Sequence, residues 1–267
     1  MLIASYPRSG SNWVGRTLEH ALLARIGWAD PLERGRRGIY HDLDRFLAQR
    51  RLDELERWGA SASLILKTHR APESLERDAP GWLDRVDLVV GVVRPPLDVM
   101  ASVLRYLAWS GSLVGPDGEV VKDMRRAREL GLVTPFVEGF IDARGHAPFE
   151  ALGFGSWVSH ARAWSPMLDR RGLRLRYEDI TRDSHAVFAS VLDRLTLPVE
   201  PERLDEAIAS ATPERIGAQF GAGFVNNDRD DAGGAWLTPE QLERAHAAFG
   251  EEAARYGLGV GLSPRAR

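Results

Sequence analysis

The sequence predicts an α/β fold, a single domain carrying a doubly wound parallel β-sheet flanked by helices. Three observations predict it. Short apolar runs alternate with amphipathic helical patterns along the chain, the order that builds parallel sheets. One run, VDLVVGVV at residues 86–93, is almost continuously apolar, as expected of a strand covered on both faces. The 267 residues, 44% hydrophobic and 27% charged, are enough to bury one sizeable core.

The elements follow in chain order. LIAS (2–5) is the first candidate strand, and SLILKT (63–68), VDLVVGVV (86–93) and LRLRY (173–177) are the others. Between them, Val14, Leu18, Ala21, Leu22 and Ile26 recur at helical spacing, with Ser11 or Asn12 placed to cap. SHAVFASVLDRL (184–195) and TPEQLERAHAAFGEEAARYG (238–257) have the same periodicity. The second opens with a threonine cap and proline at the first helical position. Residues 110–153 and 217–235 are interrupted by glycine, proline, asparagine and aspartate, and are expected to form loops or lids.

Composition narrows the function classes. A net charge of −3 gives no global attraction to nucleic acid or anionic lipid, so any anion site is local. With no cysteine there is no disulfide framework, thiolate metal site or cysteine nucleophile. The start lacks the basic and apolar regions of a signal peptide, and no run is long enough to span a bilayer, so the expected location is cytoplasmic. ERGRR (33–37) and MRRAR (124–128) read as solvated faces rather than nucleic-acid sites. HDLD (41–44) and DRDD (228–231) lack the spacing and turn glycine of a calcium loop. The tryptophans around His160 are expected in the core, while His146 could line an acceptor pocket.

The chemistry concentrates at strand ends. After LIAS, the loop Pro7, Arg8, Ser9, Gly10, Ser11, Asn12 feeds a helix, and a helix N-terminus offers N–H groups and positive potential to an anion. A strand-to-helix turn without a ligand is the alternative. A Walker loop is disfavoured, because G-x-x-x-x-G-K-[ST] is absent and the best buried strand ends in Arg94 rather than a metal-binding acid. Lys67 and His69 stand at the carboxyl end of another strand, where open α/β sheets bind ligands. Arg94 precedes Ser102 by eight residues, with an ion pair to Asp98 as the alternative for the arginine. Tyr177 ends LRLRY, where a core tyrosine is the alternative.

Taken together, SYPRSGSNW, LKTH, VVRPPLDVMAS, GSWVSHARAW and RYEDI, in this order, resemble the sulfotransferases that use 3′-phosphoadenosine 5′-phosphosulfate. The resemblance spans about residues 2–257 and implies that family's sulfotransferase fold, related to P-loop kinases. It implies that His69 is the catalytic base and that Lys67 and Arg8 stabilise the charge developing on the leaving group. Pro7, Arg8, Ser9, Gly10, Ser11 and Asn12 would then surround the 5′-phosphate, Trp13 would stack on adenine and Tyr177 would contact its edge. Arg94 and Ser102 would bind the 3′-phosphate, with Thr212 near it. No metal is implied, and the product would be 3′,5′-adenosine bisphosphate (PAP).

Three departures stand out. The family usually has lysine where Arg8 stands, and Glu214 occupies a frequent aromatic position. The family's Arg-Lys-Gly before Gly-Asp-Trp aligns with Arg229, Asp230 and Asp231 before Gly234, Ala235 and Trp236, so the arginine survives and two carboxylates replace its neighbours. Segments 28–60, 105–153 and 217–235 would shape the acceptor site. Trp109, Phe136, Phe140, Phe149 and Phe220 suit an apolar or aromatic small molecule with a hydroxyl, natural products included. No nucleic-acid or membrane partner is implied, and no dimer-forming segment is evident. A nucleotide-dependent kinase and a non-catalytic adenine-nucleotide-binding protein remain the alternatives.

Overall fold

The computed structural model describes residues 1–25, 39–59, 64–220 and 237–260. These fall into two compact units, one of residues 1–93 and 163–212, the other drawn from 94–162 and 213–267.

The first unit carries the sheet. Strands β1 (Leu2–Ser5), β2 (Tyr40–Asp42), β3 (Ile65–Thr68), β4 (Val89–Val93) and β7 (Gly172–Arg176) pair in the order β2-β3-β1-β4-β7. All four ladders are parallel. Strand alternation sorts the core into two layers. Ile3, Ile65, Val90 and Val92 point to one face. There they meet Val14 and Leu18 of α1 (Ser11–Arg25), Phe188 and Val191 of α11 (Ser184–Arg194), and Leu204 of α12 (Pro201–Ser210). Leu2, Ala4, Leu66 and Val89 point to the other. That face is covered by Leu43 of α2 (Leu43–Ala48), Leu55 of α3 (Leu52–Gly59), Leu75 of α4 (Pro72–Asp78), and Trp164 and Leu168 of α9 (Trp157–Arg171). Period-two side chains on a parallel sheet leave both faces apolar, so both need helices.

The second unit contains the long buried helix α5 (Pro96–Trp109) and the hairpin β5 (Leu113–Val114) and β6 (Val120–Val121). It continues through α6 (Met124–Glu129), α7 (Val133–Asp142) and α8 (Pro148–Ala151), and ends with α13 (Pro213–Phe220) and α14 (Pro239–Arg255). Phe249 of α14 packs against Phe140 at 5.9 Å and Trp157 at 6.0 Å between ring centroids. Thr238 caps α14 in a reciprocal capping box with Gln241.

The four expected strands and three expected helices are present, the first strand with its expected bounds and the others with ends shifted by at most three residues. Residues 110–153 differ from the loop expectation, since they hold a hairpin and three short helices. Val133, Val137, Phe140 and Ile141 form a buried helical stripe there. Left-handed glycines at 111, 118, 131, 145 and 153 end each short element, and this density of turn signals conceals the periodicity. Phe140, expected to face an acceptor, is 2% exposed and belongs to the core. Strand β2 lies in the segment 28–60, where only a variable acceptor segment was expected.

Candidate active site

In the first unit, the carboxyl ends of β1, β2, β3 and β7 bring the chemistry-bearing residues to one edge of the sheet. The loop after β1 is bent by two left-handed residues, Arg8 at φ 71° and Gly10 at φ 107°. A left-handed arginine costs on the order of 1 kcal/mol, and such backbone is held where a loop must aim its N–H groups. Successive N–H groups in this geometry form an anion-binding concavity. Gly10 is required twice over, because a Cβ there would also lie 2.8 Å from Tyr177 Cδ2.

Helix α1 begins directly after this turn. Its first backbone bond runs from Val14 N–H to the Gly10 carbonyl at 3.2 Å, so the N–H groups of Ser11, Asn12 and Trp13 stand ahead of the helical ladder. Among the described residues, Ser9 Oγ and Trp13 Nε1 are buried without a hydrogen-bond partner. Two unpaired polar groups at one turn fit a polar ligand, since leaving them unsatisfied is costly. The Trp13 ring stands edge-on to Tyr177 at 5.9 Å. Asn12 is oriented by Tyr40, whose hydroxyl donates to Asn12 Oδ1 at 3.0 Å, leaving the amide N–H₂ as the end that can donate. Tyr40 N–H in turn donates to the fully buried Glu19 carboxylate at 3.0 Å, which Arg16 also holds. Burial pushes the Tyr40 phenol far above its ordinary value, so it remains a donor.

Lys67 is the penultimate residue of β3, and His69 directly follows the strand. His69 Nδ1 lies 2.7 Å from the Ser5 carbonyl oxygen. A carbonyl only accepts, so Nδ1 carries the proton and Nε2 is the basic nitrogen. Lys67 is register partner to both Ile3 and Asp42, and its ammonium lies 2.6 Å from Asp42 Oδ2. Burial alone would raise the Asp42 carboxyl, but the adjacent Lys67 charge and hydrogen bond hold it below its ordinary value. Asp44 accepts from Thr68 Oγ1 at 2.6 Å and from His69 N–H at 2.7 Å, and burial raises its carboxyl. Asp42 and Asp44 thus support the two candidate catalytic residues. In the sequence, HDLD (41–44) lacks the spacing and turn glycine of a calcium loop and carries no other local signal. Only the β2–β3 register, which no local pattern encodes, discloses its role.

In the second unit, Arg94 directly follows β4 in the chain, and its carbonyl accepts from Trp157 Nε1 at 3.2 Å. Ser102 lies on α5 and is buried. Thr212, in the first unit, is half-buried just before α13. Arg229, with Asp230, Asp231 and Gly234 to Trp236, lies outside the described residues, as does the Phe220 side chain. His160 and both tryptophans of its segment are buried, as expected. Among the described residues, no helix is long and apolar enough to cross a membrane.

Comparison with known proteins gives a consistent result. The family model described as the sulfotransferase domain matches residues 1–215. A rat protein, sulfotransferase 2A6, is 30% identical over 118 residues, which are 44% of this chain and 34% of the relative. Mouse sulfotransferase 2A6 is 22% identical over 215 residues, 77% of this chain and 62% of the relative. Matches to these relatives therefore span less than two thirds of their length. Among solved structures, mouse sulfotransferase SULT7A1 complexed with PAP superposes with a TM-score of 0.57 at 16% identity, covering 95% of this chain and 83% of that one. Retinol dehydratase in a complex with retinol and PAP superposes at 0.58 with 17% identity, covering 94% and 80%. At such identities the likeness establishes the fold.

Proposed function

The chain belongs to the sulfotransferase domain family, and from that membership we propose that it transfers a sulfuryl group from 3′-phosphoadenosine 5′-phosphosulfate to a hydroxyl of a small molecule. The observation that carries the proposal is the His69–Ser5 bond. It leaves Nε2 as a base beside a buried lysine, on the same strand end. The PAP bound in the solved relatives supports the donor, and the retinol in one supports a small hydroxylic acceptor.

In this reading His69 Nε2 takes the proton from the acceptor hydroxyl as its oxygen attacks sulfur. The bridging S–O bond breaks, and its electron pair leaves with the 5′-phosphate. Arg8 and Lys67 stabilise that charge, and Arg8, being always protonated, does so without donating a proton. Ser9 to Trp13 hold the 5′-phosphate and the adenine, Tyr177 contacts the base, and Arg94 and Ser102 bind the 3′-phosphate. The sulfuryl group carries less charge than a phosphoryl, so positioned cations suffice.

Thermal unfolding with PAP, AMP and Mg²⁺–ATP tests the donor. A ligand at about one hundred times its dissociation constant stabilises by roughly 2.7 kcal/mol, a rise of about 5–10 °C for a chain this size. The expected result is a clear rise with PAP and little with AMP. A rise with Mg²⁺–ATP alone would instead make the chain a kinase of similar fold.

A further inference from the structure

Lys67 projects from β3 with its side chain 9% exposed, whereas its partner Asp42, at the end of β2, is 41% exposed. An ammonium this buried keeps its charge only beside a counter-charge, because an isolated ion in low dielectric is strongly disfavoured. Asp42 supplies it across 2.6 Å. The difference in exposure decides which partner can yield. The lysine stem is fixed within the sheet, while the aspartate can turn towards water. Its two oxygens are already divided, for Oδ1 accepts Arg45 N–H at the start of α2 while Oδ2 holds Lys67.

We propose that Asp42 is a positioning residue, the resident counter-ion of Lys67, and that it competes with the anionic groups of the donor for the lysine ammonium. The inference deepens the donor reading above and rests on it. A lysine shared with a carboxylate binds the ground-state donor weakly. It keeps its full attraction for the charge that grows as the leaving group departs, which is where binding energy accelerates a reaction. Asp42 thus aims Lys67 and sets how much of its charge is available before the S–O bond breaks.

The test is calorimetric titration of PAP into the wild type, D42N, D42S, K67M and the double variant D42N/K67M, with steady-state transfer measured alongside. Asparagine and serine both retain a helix-capping acceptor, so the start of α2 is preserved in either variant. The expected result is about three- to tenfold tighter PAP binding in both D42N and D42S, with kcat and donor KM falling together. In the K67M background, D42N is expected to change PAP affinity less than about twofold. A merely structural role would weaken binding in both variants, and unchanged or weaker binding in both overturns the proposal. So does an equal gain in the K67M background, which would mean through-space repulsion without the lysine. A wild type that binds no PAP removes the donor reading itself, and this inference with it.

Discussion

His69 donates its Nδ1–H to the Ser5 carbonyl across 2.7 Å, joining the ends of β1 and β3 with a bond that also fixes the imidazole tautomer. The imidazole therefore presents Nε2 as its basic nitrogen, the backbone of β1 orients it, and Asp44 holds the His69 backbone N–H at 2.7 Å. His69→Ala is expected to slow transfer by about a hundredfold or more, the usual contribution of a positioned base. PAP affinity should stay within about twofold. Single-turnover kinetics and calorimetry separate the two, and retained transfer would remove His69 from the mechanism.

Gly10 faces Tyr177 closely enough that a Cβ would sit 2.8 Å from the ring. Its left-handed backbone adds a second penalty, so Gly10→Ala is expected to cost about 1–3 kcal/mol of stability. The turn that aims the loop would shift with it, and PAP binding should weaken about tenfold or more. Urea denaturation and titration of PAP check the two effects. Normal binding at reduced stability would place the anion elsewhere.

The sheet, the loop after β1 and the strand-end residues were legible because local rules encode them. Apolar runs, a helix start and motif spacing all lie within short windows. Strand β2 was not legible. Tyr40, His41 and Asp42 are only partly buried and show no apolar run, so the strand exists through its pairing with β3. The same holds for Asp42 and Asp44, whose partners are 25 and 24 residues away respectively in sequence. The helices at 110–153 were hidden differently, by left-handed glycines that end each one within a few turns.

Arg94 and Ser102 separate a 3′-phosphorylated nucleotide from an ordinary one in the proposed reading. Loss of a charge-assisted contact is worth about 1.5–3 kcal/mol. Arg94→Ala should therefore weaken PAP by about ten- to a hundredfold while leaving the weak binding of AMP unchanged. Competitive titration of both nucleotides measures the ratio. An equal loss for both would assign Arg94 to the shared part of the ligand.

Gly15 lies inside α1, where alanine is normally favoured by about 1 kcal/mol. Here a Cβ would come 2.2 Å from Tyr40 Cε2, and the half-buried ring is packed against the core and tied to Asn12. Overpacking of this kind costs about 1–3 kcal/mol or more, so the clash outweighs the propensity gain. Gly15→Ala should destabilise the chain. It should also weaken PAP through the displaced Asn12 amide, even though residue 15 is not itself placed at the ligand. Gly15→Ala with Tyr40→Phe should recover little, because the ring remains. Gly15→Ala with Tyr40→Ala relieves the clash but leaves Asn12 unoriented, and is expected to regain stability without regaining affinity.

His146 lies between Phe136, at 5.7 Å, and Phe149, at 4.6 Å between ring centroids, in the loop that joins α7 to α8. Burial lowers its pKa below the ordinary histidine value. The folded chain therefore binds fewer protons at this site than the unfolded chain once pH falls below about 6.5. The stability tied to the neutral imidazole is complete above that pH and is lost as pH falls through the lowered folded value. His146→Phe keeps an aromatic ring against both phenylalanines and cannot titrate. Urea denaturation at pH 7.5 and pH 5 should show the wild type losing more stability on acidification than the variant. Equal losses would mean that the imidazole is as easily protonated in the folded chain as in the unfolded one.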